Sequence, residues 1–116
     1  MHHRDLEAWK ESLSFVTEIY ELTKTFPKEE LWGLTMQIRR SAVSIPSNIA
    51  EGCGRNTPKE TSRFMDIALG SIAEVETQLI IAKNLNYADT ENLLNRVKKL
   101  NALVQGIKKY LSKVDS

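Results

Sequence analysis

Placed on a helix at about 100° per residue, the apolar positions of this chain fall into stripes almost everywhere. Leu6, Trp9, Leu13, Val16 and Tyr20 recur at spacings of three and four, and Phe15, Ile19, Leu22 and Phe26 make a second stripe beside them. The two predict a first helix over about residues 5–26. Its apolar arc is roughly 200° wide, about twice what packing one surface helix requires. Such a helix is either central in a bundle or buried against another subunit.

Pro27 suits a first helical position, where its missing N–H costs nothing, and Glu29 and Glu30 follow at the positive end of a second helix, predicted over about 28–53. This helix has three faces. Leu31, Leu34, Ile38, Ala42, Ile45 and Ile49 form an apolar stripe; Gln37, Arg40, Ser44, Asn48 and Glu51 form a wholly polar one; Trp32, Met36, Val43 and Ala50 form a third face, apolar again. Pro46 cannot bond the Ala42 carbonyl, which predicts a kink. Two shorter helices broken near Ser47, with Ser47 or Asn48 as a new cap, are the alternative. The unbroken phase through Ile45 and Ile49 favours one kinked helix. Gly52 and Gly54 end it.

Thr57-Pro58-Lys59-Glu60 has the pattern of a capping box and opens a third helix, predicted over 58–86, with Phe64, Ala68, Ser71, Val75, Leu79 and Ala82 inward. Ala68, Gly70, Ser71 and Ala73 are small, so a close neighbouring backbone is expected there. Asp89 or Thr90 caps a fourth helix, over 90–113, whose Leu93, Val97, Leu100, Val104, Ile107, Leu111 and Val114 keep spacings of three and four. No segment alternates as a strand does. Short connections between four helices predict an all-α, antiparallel up-down-up-down four-helix bundle occupying residues 1–116 as one domain.

Composition narrows the function only by exclusion. Hydrophobic content of 41% and charged content of 27% are ordinary for a soluble domain. No apolar run approaches the roughly 18 residues that span a bilayer, and MHHRDLEAWKE has no apolar export region, so a cytoplasmic location is expected. Cys53 stands alone and forms no intramolecular disulfide. Glycine-rich phosphate loops, HExxH and CxxC are absent. His2 and His3 sit together near the start and no other histidine exists, so neither a zinc site nor a Glu-x-x-His di-iron site is expected. Glu74 and Glu76 are two apart on different helix faces and form no acid/base pair, while Glu51 is placed to meet Arg40 or Arg63 across helices as a structural ion pair. No catalytic residue and no cofactor is expected.

Net charge is +1, but it alternates along the chain: −3 over residues 1–38, +3 over 39–63, −4 over 64–91 and +5 over 92–116. Alternation suits neighbouring helices that attract one another. The fourth helix nevertheless carries Lys98, Lys99, Lys108, Lys109 and Lys113 with no acid between Arg96 and Lys113. With Arg39 they are the candidate contacts to RNA or DNA, although no aromatic platform is interleaved with them and a solvated face is the plainer expectation. Asn and Ser are mediocre residues inside a helix, and the polar stripe lies between two apolar faces. It is therefore expected to be a hydrogen-bonded seam between helices or subunits, with Trp32, Met36 and Val43 as the candidate oligomer interface.

The run Gln37, Arg39-Arg40, Ser44-Ile45-Pro46, Asn48-Ile49-Ala50-Glu51-Gly52 and Arg55 resembles the bacterial 23S rRNA intervening-sequence proteins, also called four-helix bundle proteins. The resemblance continues through Asp5-Leu6, Trp9, Phe26-Pro27, Phe64, Ala68, Gly70-Ser71, Glu74 and Leu79, and covers about residues 5–112. It implies a homopentameric ring or barrel. Relatives include the accessory protein of diversity-generating retroelements, a basic pentamer that binds nucleic acid and a reverse transcriptase, from which this nearly neutral chain departs. The sequence thus points to a non-enzymatic homo-oligomer with RNA or DNA as a candidate partner, or to a scaffold whose partner is a protein.

Overall fold

The computed structural model describes residues 1–114. It is all-α, with four helices: α1 (Glu7–Thr23), α2 (Met36–Cys53), α3 (Pro58–Asn84) and α4 (Glu91–Val114), and no strand among the described residues. Short 3-10 turns cover His3–Asp5 and Lys28–Glu30, and a wide π-type turn covers Leu31–Thr35. Each helix packs on its neighbour in the chain, and α1 closes on α4.

The core takes one stripe from each helix. From α1 these are Ala8, Phe15 and Ile19; from α2 Ile38, Ala42, Ile45 and Ile49; from α3 Met65, Ala68, Ile72, Val75, Leu79 and Ala82; from α4 Leu93, Val97, Leu100, Val104 and Leu111. On α1 the core stripe is thus the one through Phe15 and Ile19, with Phe26 just beyond the helix. Trp9 and Val16 are only half-buried, and Leu13 and Tyr20 are exposed. On α3, Phe64 is half-buried and Met65 and Ile72 take the inward places.

The second helix starts later than its pattern predicts. Gly33 has φ −108° and ψ −114°, which breaks the helical course, and α2 proper begins at Met36. Before it, Glu30 anchors the turn: one carboxylate oxygen accepts the Leu34 N–H at 3.2 Å and the other accepts the Tyr87 hydroxyl at 2.8 Å. That acceptor raises the Tyr87 pKa, and the Phe26 ring lies against the Tyr87 ring. The break shifts the helical phase, so Leu31, expected inward, is exposed. Beyond it α2 runs through Pro46 without interruption, so the alternative of two helices parted near Ser47 does not hold.

The junction of α2 and α3 is close. The Thr61 hydroxyl donates to the Gly52 carbonyl at 2.8 Å, and a Cβ at Gly52 would stand 2.8 Å from Phe64 Cβ and 2.9 Å from Met65 Cε. Thr57 caps α3 by accepting the Glu60 N–H at 3.2 Å. At the other end Asn86, with φ +59°, closes α3: Tyr87 N–H bonds Ala82 O and Asn86 N–H bonds Lys83 O, the paired bonds of a Schellman motif with asparagine in the left-handed place. Gly70, by contrast, is exposed and a Cβ there meets nothing within 4 Å, so the close neighbour expected at Gly70 is not within this chain.

Charge alternation becomes contact between α1 and α4. Arg96 pairs with Glu11 at 3.3 Å and Glu18 at 2.7 Å, and Lys99 with Glu11 at 3.3 Å and Glu7 at 3.8 Å. The hydrogen bond from Lys99, aided by the charges of Lys99 and Arg96, holds the Glu11 carboxyl below its ordinary value despite partial burial.

Two outcomes follow. Gly52→Ala forces the α2–α3 junction apart and lowers unfolding free energy by about 1–3 kcal/mol in urea titration. A carboxyl whose folded pKa is lowered stabilises the fold above its unfolded value, and that stability disappears as pH falls through the folded value. The melting temperature of Glu11→Gln therefore lies below that of the parent at neutral pH, and the gap closes on acidification below the usual carboxylate range.

Candidate interaction surfaces

The outward side of α2 carries the polar ladder. Ser44 and Ser71 share a hydroxyl–hydroxyl bond of 2.8 Å between α2 and α3. The Asn48 amide donates to both the Ser44 carbonyl and the Ser44 hydroxyl, each at 2.8 Å. Ser44 is thus the ladder's bond to another helix, and Asn48 supports it from one turn along α2. Glu51 pairs at 3.1 Å with Arg55, four residues on and just past the end of α2, rather than with Arg40 or Arg63. Arg55 in turn stacks on the Phe64 ring, which draws it toward α3 and within reach of Glu51. Gln37 and Arg40 are exposed.

On the α1 side of that ladder, two shallow grooves of about 420 and 460 Å³ meet at Val43. Tyr20, Leu31, Trp32 and Met36 line the first, and Trp9, Leu13, Pro46 and Ala50 the second. Trp32 is 79% exposed, and two arginines but no acid border these grooves. Arg39 is held there by its bond to Thr23 Oγ1 at 2.8 Å and by its guanidinium over the Tyr20 ring. It stands far round the molecule from the α4 lysines and joins no patch with them.

The α4 lysines spread over about half the helix circumference. Lys99 turns to α1 and pairs with acids there; Lys108 turns to α3 and pairs with Asp66. Lys98 and Lys109 remain on the outer face without an acidic partner among the described residues. They are 11 residues apart in sequence, which places them on one side of the helix about 16 Å apart. Lys113 is exposed and also engaged in the fold.

A larger groove, about 690 Å³, lies where the chain start, the end of α2 and the end of α4 meet. Leu6, Cys53, Leu103, Ile107 and Tyr110 line it. Burial raises the Cys53 pKa, which disfavours the thiolate. Among the described residues no group of three or more His, Cys, Asp or Glu is arranged to hold a metal ion, and no helix is long and apolar enough to cross a membrane.

One surface was not anticipated from the sequence. Ile67, Ile81 and Leu85 of α3 and its exit are 41–50% exposed, and they share a side with Gly70 and Glu74. The spacings 67, 81 and 85 carry the signal, since all five positions fall within about 60°. It lies hidden beside the stronger inward stripe.

The chain matches the family described as 23S rRNA-intervening sequence protein over residues 4–112. Among solved structures it is similar to a protein of unknown function from the S23 ribosomal protein family of Bacteroides thetaiotaomicron, with TM-score 0.63 and 23% identity, covering 94% of this chain and 98% of that one. At that identity the likeness concerns the fold. No curated protein matches.

The Ser44–Ser71 pair yields a measurable coupling. Ser71→Ala alone leaves Ser44 short of a partner and costs about 1 kcal/mol, while Ser44→Ala with Ser71→Ala costs less than the sum of the two single changes. Urea unfolding of the four proteins in this cycle measures it.

Proposed function

We propose that this chain, which belongs to the 23S rRNA-intervening sequence protein family, is a non-enzymatic homo-oligomer of the cytoplasm, a homopentamer as its family resemblance implies. The observation that carries this is the apolar face along α1 and α2, with Trp32 79% exposed at its end. Contiguous exposed apolar side chains rimmed by polar groups mark interaction sites on proteins, and Leu13, Tyr20, Leu31, Trp32 and Val43 are all exposed here. Tryptophan, tyrosine and arginine, the residues most enriched in interface hot spots, occur together there as Trp32, Tyr20 and Arg39. The polar ladder Gln37, Arg40, Ser44, Asn48 and Glu51 then works as a structural seam, with its outer members available to another subunit.

The helices take an antiparallel up-down-up-down course. Two kinds of contact support it: Arg96 and Lys99, in sequence along the first part of α4, pair in reverse order with Glu18 and with Glu11 and Glu7 of α1, and Phe26 at the exit of α1 meets Tyr87 at the exit of α3. A kink at Pro46 belongs to the same reading. The Ala42 carbonyl lacks its N–H partner, and the adjacent carbonyls of Val43 and Ser44 accept side-chain bonds from Ser47 and Asn48, an arrangement that bends helices.

A second reading, binding of RNA or DNA, rests on Lys98 and Lys109, which face outward without acids. It is the weaker of the two, because Lys99 and Lys108 are engaged by Glu7, Glu11 and Asp66. Repetition around a ring multiplies weak contacts and keeps it in play.

Light scattering separates assembly from its absence: the expected mass is a multiple of the 13.2 kDa chain, fivefold for a pentamer, and a monomer overturns the proposal. Fluorescence anisotropy with single-stranded RNA at several salt concentrations addresses the second reading. That reading requires binding at low salt that weakens as salt rises and is lost in Lys98→Glu with Lys109→Glu.

A further inference from the structure

We propose that copies of this chain join head to tail through two unlike surfaces, the α1–α2 face of one packing on the α3 stripe of the next. The inference deepens the proposed oligomer and rests on it. It identifies the occupant of the apolar face as a particular part of a second copy.

The two surfaces are complementary in three respects. The first presents the strongly exposed Trp32, with Val43 exposed and Met36 half-buried along its shallow groove, and the second is a shallow depression of about 400 Å³ lined by Gly70 and Ala73. Gly70 lies open, with nothing within 4 Å of a Cβ built there, although glycine costs a helix about 1 kcal/mol relative to alanine. A knob from another chain gives that glycine a purpose that its own chain does not. The second respect is polarity: Ile67, Ile81 and Leu85 extend the depression into an exposed apolar stripe. The third is charge. Arg39 and Arg40 border the first surface with no acid, whereas Glu74 borders the second with no base. Neither Arg40 nor Glu74 has an ion-pair partner among the described residues.

Their placement on adjacent sides suits a ring. Unlike surfaces that meet repeatedly produce rings or open filaments, depending on the angle between them. The helices contact in the cyclic order α1, α2, α3, α4, which gives the protomer four sides. The two surfaces occupy adjacent sides, flanking α2. Adjacent sides whose outward normals diverge by about 90° close with about four copies, and about 108° closes with five. In either ring the shared edge, α2, points to the central opening. Arg40 on the first surface and Gln37 on the second then stand at the junctions, Ser44, Asn48 and Glu51 border a polar lumen, and α4 with Lys98 and Lys109 lies on the outside.

The experiment uses one variant for each surface. Trp32→Glu blocks the first and Gly70→Arg the second, and both sites are open enough that the protomer's circular dichroism and melting temperature should hold. Light scattering of each variant alone is expected to give the 13.2 kDa monomer, and an equimolar mixture a species of twice that mass, because each mixed pair retains one intact junction. A variant that keeps the parent mass, or a mixture that stays monomeric, overturns the two-surface assignment while the parent's oligomer stands. A monomeric parent overturns the proposed function itself. Charge reversal gives an independent check: Arg40→Glu weakens assembly, and adding Glu74→Arg restores it. Failure of the second change to restore assembly overturns the Arg40–Glu74 contact.

Discussion

A four-helix core accepts one apolar stripe from each helix, and both α1 and α2 bring two. Everything distinctive in this molecule follows from how that surplus is placed. Ile38, Ala42, Ile45 and Ile49 are fully buried, and to reach them the end of α2 must approach the start of α3 closely. Gly52 makes that approach sterically possible, and Thr61 fixes it by bonding the Gly52 carbonyl. Once this face is committed inward, the polar ladder turns out and the Trp32, Met36 and Val43 face is left on the surface beside α1. The half-exposed side of α1 lies next to it, so the two surpluses merge into one strip instead of scattering.

Much of this was legible in the sequence because period and phase are local properties. The inward stripes of α2 beyond Gly33 and of α4 are buried along most of their length, and Thr57-Pro58 marks the start of α3. The errors arise where a position depends on a contact distant in sequence. On α1 two apolar stripes lie side by side, and only the presence of α2 and α4 selects the one through Phe15 and Ile19. The delayed start of α2 depends on Glu30 meeting both Leu34 and Tyr87, a partner 57 residues away, and no local pattern announces that bond. The exposure of Leu31, against its inward phase, has the same origin.

The candidate surfaces divide along the same line. The ladder and the Trp32 face were visible as helical stripes, but the partner of each ladder residue was not. Ser44 finds Ser71 across the α2–α3 contact, whereas Glu51 meets Arg55 in the turn just past its own helix, where the Phe64 ring holds the guanidinium. The α3 stripe at Ile67, Ile81 and Leu85 went unseen because α3 is amphipathic on two sides and its inward positions dominate the pattern.

Charge shows most clearly why composition is a poor guide to a surface. Residues 92–116 carry a charge of +5, which by itself suggests a basic patch. Folding sets that segment against the acidic first helix, so Arg96 and Lys99 meet Glu7, Glu11 and Glu18, and Lys108 meets Asp66 on the opposite flank. Exposed pairs of this kind each contribute little to stability, about 0–1 kcal/mol. Their larger effect is on the outward field, since each pair cancels a charge that a polyanion would otherwise meet. A nucleic acid approaching α4 encounters Lys98 and Lys109 in place of a continuous basic strip. Two cations of the last helix, Arg96 and Lys99, hold it against α1, and with α1 so placed its half-exposed apolar side lies beside that of α2.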